Sequence, residues 1–517
     1  MKTKLILFFI IILAFVLRIY NVGQLPAILN RDEAALAYNA FLLKEVGKDE
    51  WGRTWPLTLE SFGDYKLPGY PTMLVILFNF FPISDFTVRL PSVLSGTFLV
   101  LTAFYFAKHF KLKDKYALLF SFLIATTPIF FFYSRSAWEA NVALCLLVTT
   151  VLLILKNKSF ATDFLAILLY LVAVLVYNTP LLLLPFIILT IPLLRGFKQY
   201  QKWFLLCLGL SFVLIFSLFN LLSITSQKSA ITIFSDETTW MRYTQYRENF
   251  TGLNQTLLGN KYVYWLKIII TNFINSFSPR FLVTLGGKHP WHTAFGFSHF
   301  SWTVYLLGIA GIIHAFIKRK KTRRILTYLL FVGLFPAVIT VDAPHATRSL
   351  FFFFIFTFLS VMFISNNEEI INKFFKAQLK IKNKLVKNNL FVFTILLFLL
   401  FESFAYFKSY FIDYPQNQLM FAPGFDGAVQ KLEKNYPDQK IAIVDGGGYQ
   451  YILLAWYLKI PPQDYLNNNV RQLKDKIGMK YGERVLNYHF IAEEADRSDN
   501  EKFLLTWENN QWKIKEY

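Results

Sequence analysis

Leu5 to Leu17 and Leu390 to Phe401 contain no charged residue, and apolar runs of this kind recur along most of the 517 residues. Runs of ~17 to 25 apolar residues are the length at which a helix crosses a bilayer. With 55% hydrophobic and only 17% charged residues, the chain carries more apolar mass than one soluble core buries, and 57 phenylalanines suit helices that face lipid. The pattern therefore predicts a polytopic α-helical membrane protein. Apolar windows fall near 4–20, 92–107, 116–133, 140–155, 160–177, 180–194, 203–224, 301–317, 325–341, 349–365 and 390–407, roughly eleven spans in all.

The net charge of +20 raises nucleic acid as a partner, and its distribution argues against it. The basic clusters Lys2/Lys4, Lys108 to Lys115, Lys156/Lys158, Arg195 to Lys202, Lys318 to Arg324 and Lys373 to Lys387 all fall between spans on one side if the N-terminus is cytoplasmic. With Asp114, Glu368 and Glu369 included, they hold 23 Lys and Arg against 3 acidic residues, a difference equal to the whole excess of +20. Cytoplasmic loops favour Lys and Arg, so the charge is accounted for by topology, with no phosphate-binding groove and no nucleic acid required. The first span ends Leu17-Arg18-Ile19-Tyr20 without a small-residue cleavage pattern, so it reads as a retained span rather than a signal peptide. Cys145 and Cys207 fall inside spans, where they behave as small apolar residues and imply no disulfide or metal framework.

The same threading puts 21–91, 134–139, 225–300, 342–348 and everything after about 408 outside. Within these, Tyr70 to Phe81 and 262–283 suit interfacial helices. The tail 408–517 carries 14 basic and 15 acidic residues, a balance unlike that of residues 1–407, and is expected to be a separate extracytoplasmic domain. Ile441 to Val444, Asp445-Gly446-Gly447-Gly448 and the apolar stretch after it read as strand, turn, helix; Val485 to Ile491 and Lys502 to Trp507 read as further strands, giving a small α/β fold. The glycine triplet lacks the flanks of a phosphate loop and reads as a tight turn.

Ionisable residues at the mouths of spans persist where they are paired, hydrated or used. Here they gather on the outer side: Asn30-Arg31-Asp32-Glu33-Ala34, Gly63-Asp64-Tyr65-Lys66-Leu67-Pro68-Gly69-Tyr70, Val88-Arg89-Leu90-Pro91-Ser92, Ser134-Arg135-Ser136-Ala137-Trp138-Glu139, and Pro344-His345-Ala346-Thr347-Arg348. Each has a structural reading. Asp32 is also a helix N-terminal carboxylate favoured by the dipole, Asp64 a turn residue, Arg89 and Arg135 helix-end anchors at headgroups, and Trp138, Trp291 and Tyr70 interfacial aromatics.

In their order these pieces resemble the C-type glycosyltransferases of family 39, the group of the protein O-mannosyltransferases and the lipid A aminoarabinose transferase. The resemblance covers a first span, a long outer loop with an Asp-Glu pair, a Lys-x-Pro step, an Arg-Leu-Pro-Ser entry to the second span and a Ser-Arg…acid second outer loop. It implies an enzyme that moves a hexose or pentose from a polyprenyl-phosphate donor to a protein, lipid or glycan acceptor on the extracytoplasmic face, with inversion. Asp32 would be the catalytic carboxylate with Glu33 beside it, and Glu139 a second catalytic acid where many members have Asp. Lys66, Arg348 and Arg89 would serve the donor phosphate, Arg89 also matching the arginine that supports the loop, with Arg135, His345, Asp64 and Tyr70 as further pocket candidates. The stretch Ser278 to His292, which adds His289 and His292, resembles bacterial relatives. His289-x-x-His292 without a nearby acidic ligand argues for no metal. The lipid-linked sugar is a substrate, so no cofactor is expected. A transporter would place ionisable residues mid-span and often shows inverted repeats; a membrane scaffold for envelope assembly would not need so dense a polar outer loop.

Overall fold

The computed structural model describes residues 2–517 except 157–158, 196–198, 222–230, 295, 319–320, 379–383, 418–421 and 476–478. Lys158, Lys198, Arg319, Lys320, Lys380 and Lys382 of the basic clusters, and the end of the window 203–224, lie outside the described residues. The chain divides into two compact units, one of residues 1–17, 95–133 and 140–411, the other of residues 18–94, 134–139 and 412–517. One division between the units falls at 411/412. The tail does not form its compact unit alone, however: that unit also takes in the first outer loop and the short second one.

Each expected apolar window holds a helix. Lys2–Ile19, Asp85–His109, Glu139–Lys156, Phe160–Val176, Thr179–Arg195, Gln199–Leu221, Trp302–Lys318, Lys321–Val338, Leu350–Gln378 and Lys384–Lys408 cover ten of them. The window 116–133 is broken into Asp114–Thr126 and Pro128–Tyr133. The residue before a proline is pushed from helical to extended backbone, and Thr127 sits there at φ −64°, ψ 133°. By length and composition four described segments can cross a membrane: Asp85–His109, Glu139–Lys156, Thr347–Glu368 and Phe393–Asp413; Phe160–Val176, Phe204–Asn220 and Trp302–Ile317 are shorter apolar helices. The expected interfacial pieces are helical as Gly69–Leu77 and Lys261–Ser276.

In the larger unit, Leu350–Gln378 is the central helix and packs against Trp302–Lys318, Lys321–Val338, Lys384–Lys408 and Asp114–Thr126. Its residues 350–356 are apolar all round, and all of them are buried. Glycines admit the close approach: a Cβ on Gly308 would stand 2.0 Å from the Phe356 ring, and one on Gly311 2.4 Å from the Leu359 carbonyl oxygen. Lys384–Lys408 behaves oppositely, exposing Phe393, Leu397, Phe398, Phe401 and Phe404.

The smaller unit contains two sheets. β1 (Leu59–Ser61) and β2 (Asp64–Lys66) form an antiparallel hairpin. Phe62 and Gly63 at its tip have φ +44° and +86°, the two positive values that a type I′ turn requires. The second sheet runs β4-β5-β6-β3-β7-β8, with β3 (Ile441–Val444) central and parallel to both β6 (Tyr488–Ile491) and β7 (Phe503–Glu508). β4 is Asn469–Arg471 and β8 Gln511–Glu516. The stretch Val485 to Ile491, expected as one strand, is instead the end of β5 (Gly482–Val485), a turn with Leu486 at φ +54°, and β6. The turn is Leu486-Asn487, so Asn487 is its one polar signal in an otherwise largely apolar run.

The tail is fastened to the first outer loop through buried polar contacts. Glu50 is paired with Arg471 and accepts hydrogen bonds from Tyr465 (3.2 Å) and Tyr451 (3.4 Å). Asp85 accepts from Trp456 Nε1 at 2.7 Å and Tyr457 OH at 3.1 Å, and Tyr38 OH donates to the Ile460 carbonyl. Tyr451 OH also accepts the Phe62 amide, holding the strained hairpin tip.

Candidate functional site

The helix Arg31–Val46 starts from an Asn30 cap whose side chain accepts the amides of Asp32 and Glu33, while Glu33 reaches back to the Asn30 amide, a full capping box. Successive residues on a helix point about 100° apart, so the neighbouring acids part company. Glu33 turns inward and is 2% exposed; Asp32 keeps 27% of its side chain accessible.

Glu33 is engaged on both oxygens. It accepts the Ala137 amide at 2.6 Å, Arg89 Nε at 3.1 Å and Arg89 Nη2 at 3.3 Å. Arg89, wholly buried, spends its other donors on the carbonyls of Val22, Pro26 and Ile28, so the five bonds match its five N–H groups. Arg89 was expected to support the loop and to serve the donor phosphate, and Glu33 to stand beside the reaction; the structure shows the supporting role, with the two as the buried pin of the loop. Arg135 acts likewise, donating to the carbonyls of Arg18, Tyr20 and Leu25. Tyr70 is fully buried with its hydroxyl on the Val88 carbonyl at 2.9 Å, a brace for the start of Asp85–His109 rather than an interfacial anchor or a pocket wall.

On that frame stands the accessible cluster. Side chains two apart on a strand share a face, so Asp64 and Lys66 of β2 sit together, and Lys66 Nζ lies 2.7 Å from Asp64 and 2.6 Å from Asp32. Burial pulls the Lys66 ammonium down, yet Asp32, Asp64 and Glu139 outweigh it and hold its pKa well above the usual lysine value. Glu139, half-buried at the start of its helix, therefore belongs to this group. Arg31 borders it, its guanidinium carbon 5.5 Å from the Phe62 ring and 5.6 Å from the Tyr449 ring of the tail. The sequence reading passed over Arg31 and Tyr449; no local pattern links residues so distant.

The glycine triplet next to Tyr449 is a turn closed by its own aspartate. The Asp445 carboxylate accepts the amides of Gly448 (2.7 Å) and Gln450 (2.8 Å), so the amides a phosphate would need are taken. Burial raises its pKa to about 6 against those bonds.

Arg348, His345, His289 and His292 belong to the larger unit and form a second cluster there. The residue that gathers them is Asp342. Its Oδ1 binds Arg348, which also donates to Thr340 Oγ1 at 2.9 Å; its Oδ2 lies 3.4 Å from His345 Nε2 and 3.5 Å from His289 Nε2. The His292 ring centre is 4.9 Å from that of His345 and 5.3 Å from that of His289, with Nε2 3.4 Å from Thr347 Oγ1. Burial raises the Asp342 carboxyl, but His289 and Arg348 bring it well below the carboxylate range. Burial and Arg348 lower His345 to about 3, and burial with the other histidines lowers His292 well below its usual value. The sequence reading missed Asp342, although its spacing of three residues before His345 was the available signal. The expectation of no metal had rested on the lack of a nearby acidic ligand, and Asp342 is one.

With both clusters defined, comparison with solved structures identifies the architecture. The chain is similar to the archaeal oligosaccharyltransferase AglB from Archaeoglobus fulgidus, solved with an inhibitory peptide and a dolichol-phosphate, at TM-score 0.51 and 14% identity over 88% of this chain. This is the C-type glycosyltransferase fold. The same AglB tethered to an acceptor peptide gives TM-score 0.51 at 14% identity over the same 88%. ArnT from Cupriavidus metallidurans bound to undecaprenyl phosphate gives 0.47 at 13% identity, covering 89% of this chain and 84% of that one. The chain spans 63% of the length of these two AglB structures. No protein-family model matches, and no curated protein matches by sequence.

Proposed function

We propose that this protein is a membrane glycosyltransferase that moves a sugar from a polyprenyl-phosphate donor to an acceptor on the extracytoplasmic face, with Asp32 as general base. The observation that carries the reading is the contrast inside one loop: a saturated, buried Glu33–Arg89 pin holds an accessible Asp32 against Lys66. A carboxylate on so firm a frame, with part of its side chain open, is one that a substrate can reach, which supports the reading. The fold adds support, since the AglB structure it resembles carries a dolichol-phosphate and an inhibitory peptide.

In the proposed reaction Asp32 takes the proton of the acceptor hydroxyl as its oxygen bonds the anomeric carbon. The carbon–oxygen bond to phosphate breaks on the opposite face, so the configuration inverts and polyprenyl phosphate leaves with the bonding electrons. Negative charge grows on that phosphate. Lys66, kept as an ammonium by its carboxylate neighbours, exchanges Asp64 for it, and Glu139 tunes Lys66. Glu33, Arg89, Arg135 and Tyr70 are positioning residues. The sugar is a hexose or pentose, and the N-terminus is cytoplasmic. The test is transfer of label from radioactive polyprenyl-phosphate sugars by purified protein in lipid. Wild type transfers label and a folded Asp32→Asn variant does not; equal rates in the two would refute the assignment.

A further inference from the structure

The Asp342 cluster has the geometry of a metal centre, a reading independent of sugar transfer. Zinc–nitrogen and zinc–oxygen bonds of about 2.05 Å at tetrahedral angles put neighbouring donor atoms about 3.3 Å apart. Asp342 Oδ2 stands 3.4 Å from His345 Nε2 and 3.5 Å from His289 Nε2, and one donor atom from each of the three residues lies within 4.8 Å of the others. These separations exceed the roughly 2.7–2.9 Å of a direct charge-assisted hydrogen bond. The two oxygen–nitrogen separations thus match donors that share one tetrahedral ion.

The surroundings are those of a built site. Asp342 divides its oxygens, Oδ1 to Arg348 and Oδ2 to the histidines, so Arg348 orients the carboxylate in the way outer partners orient metal ligands. Independent contacts bring the two segments together. Lys288 Nζ donates to the Val341 carbonyl at 3.0 Å, and a Cβ on Gly287 would meet the Pro344 carbonyl oxygen at 3.0 Å. His292 is the nearest further imidazole.

We propose that His289, Asp342 and His345 bind one divalent zinc ion, with His292 or water completing a tetrahedral shell, and that the ion cross-links the segment around 289 to the turn before the helix Leu350–Gln378. Two nitrogens and one carboxylate oxygen suit zinc better than magnesium or calcium, which prefer all-oxygen shells.

The full chain, purified in detergent without chelator, is dialysed and assayed for metal, then stripped and titrated with Co2+ as a spectroscopic stand-in. About one zinc per chain is expected, with the visible absorption of tetrahedral cobalt on titration. Asp342→Asn and His345→Ala, each checked as monodisperse by size exclusion, should bind zinc roughly 100-fold more weakly or worse, beyond the loss that outer-shell changes cause. Wild type that holds no zinc and gives only octahedral cobalt overturns the proposal, as does undiminished binding in both variants. Zinc binding that survives in an enzyme shown to lack sugar transfer leaves this site standing and removes only the transferase reading.

Discussion

The two charged clusters are built by opposite means. Around Asp32, carboxylates outnumber the cation they surround: Asp32 and Asp64 lie on Lys66, and Glu139 acts on it from nearby. Around Asp342, a single carboxylate is shared by Arg348 and two histidines. The first holds a cation in a surplus of negative charge; the second divides one anion between a guanidinium and two imidazoles. The comparison also separates arginines of one residue type by role. Arg89 has every N–H committed and serves architecture, whereas Arg348 bonds Thr340 and Asp342, both from Nη1.

That contrast breaks most readily at the pin. Arg89→Ala leaves Glu33 buried without its partner and should cost about 3–5 kcal/mol, read as a large fall in Tm or loss of folded protein. Arg89→Lys should fail to restore it, because an ammonium has three donors where five are used. Next in size, Asp32→Asn should lower the transfer rate by about 10²–10⁴-fold with Tm nearly unchanged, while Glu33→Gln should lower Tm first. Finding both variants equally destabilised would erase the distinction between the two acids. Lys66→Ala should raise the donor KM more than it lowers the rate at saturation. Since the Lys66 pKa is held above its ordinary value, its ammonium and the stability it lends persist through neutral pH and are lost only as pH rises through that raised value.

The smallest effect belongs to Asp445. A carboxyl raised to about 6 in the folded protein binds a proton there that the unfolded chain has released. Stability should therefore fall as pH rises from about 4 to about 6, and Asp445→Asn should flatten that slope in a pH series of Tm. An unchanged slope would remove Asp445 as its source.

Much of the site could be read directly from residue order. Asp64 and Lys66 are two apart in a strand, and Asn30 and Glu33 have capping-box spacing, so their mutual positions follow from local geometry. Glu33 is the instructive exception. It was legible as an acid next to Asp32, but its turning inward depends on Arg89 and Ala137, 56 and 104 residues away. Asp342 likewise sits 53 residues from His289 in the chain, and nothing nearby in sequence announces the pairing.

By itself the sequence determined where helices form, because apolar runs and a pre-proline break act within a few residues, and it determined the strand, turn and helix at 441–457 for the same reason. Only the tertiary structure decided that the tail shares a compact unit with the first outer loop, through Glu50 and Arg471 at 421 residues' separation. It also decided which charges are architecture and which are open to a substrate. Local propensity depends on neighbours along the chain, while the fate of a charge depends on what surrounds it after burial, and in this protein those surroundings come from segments hundreds of residues apart.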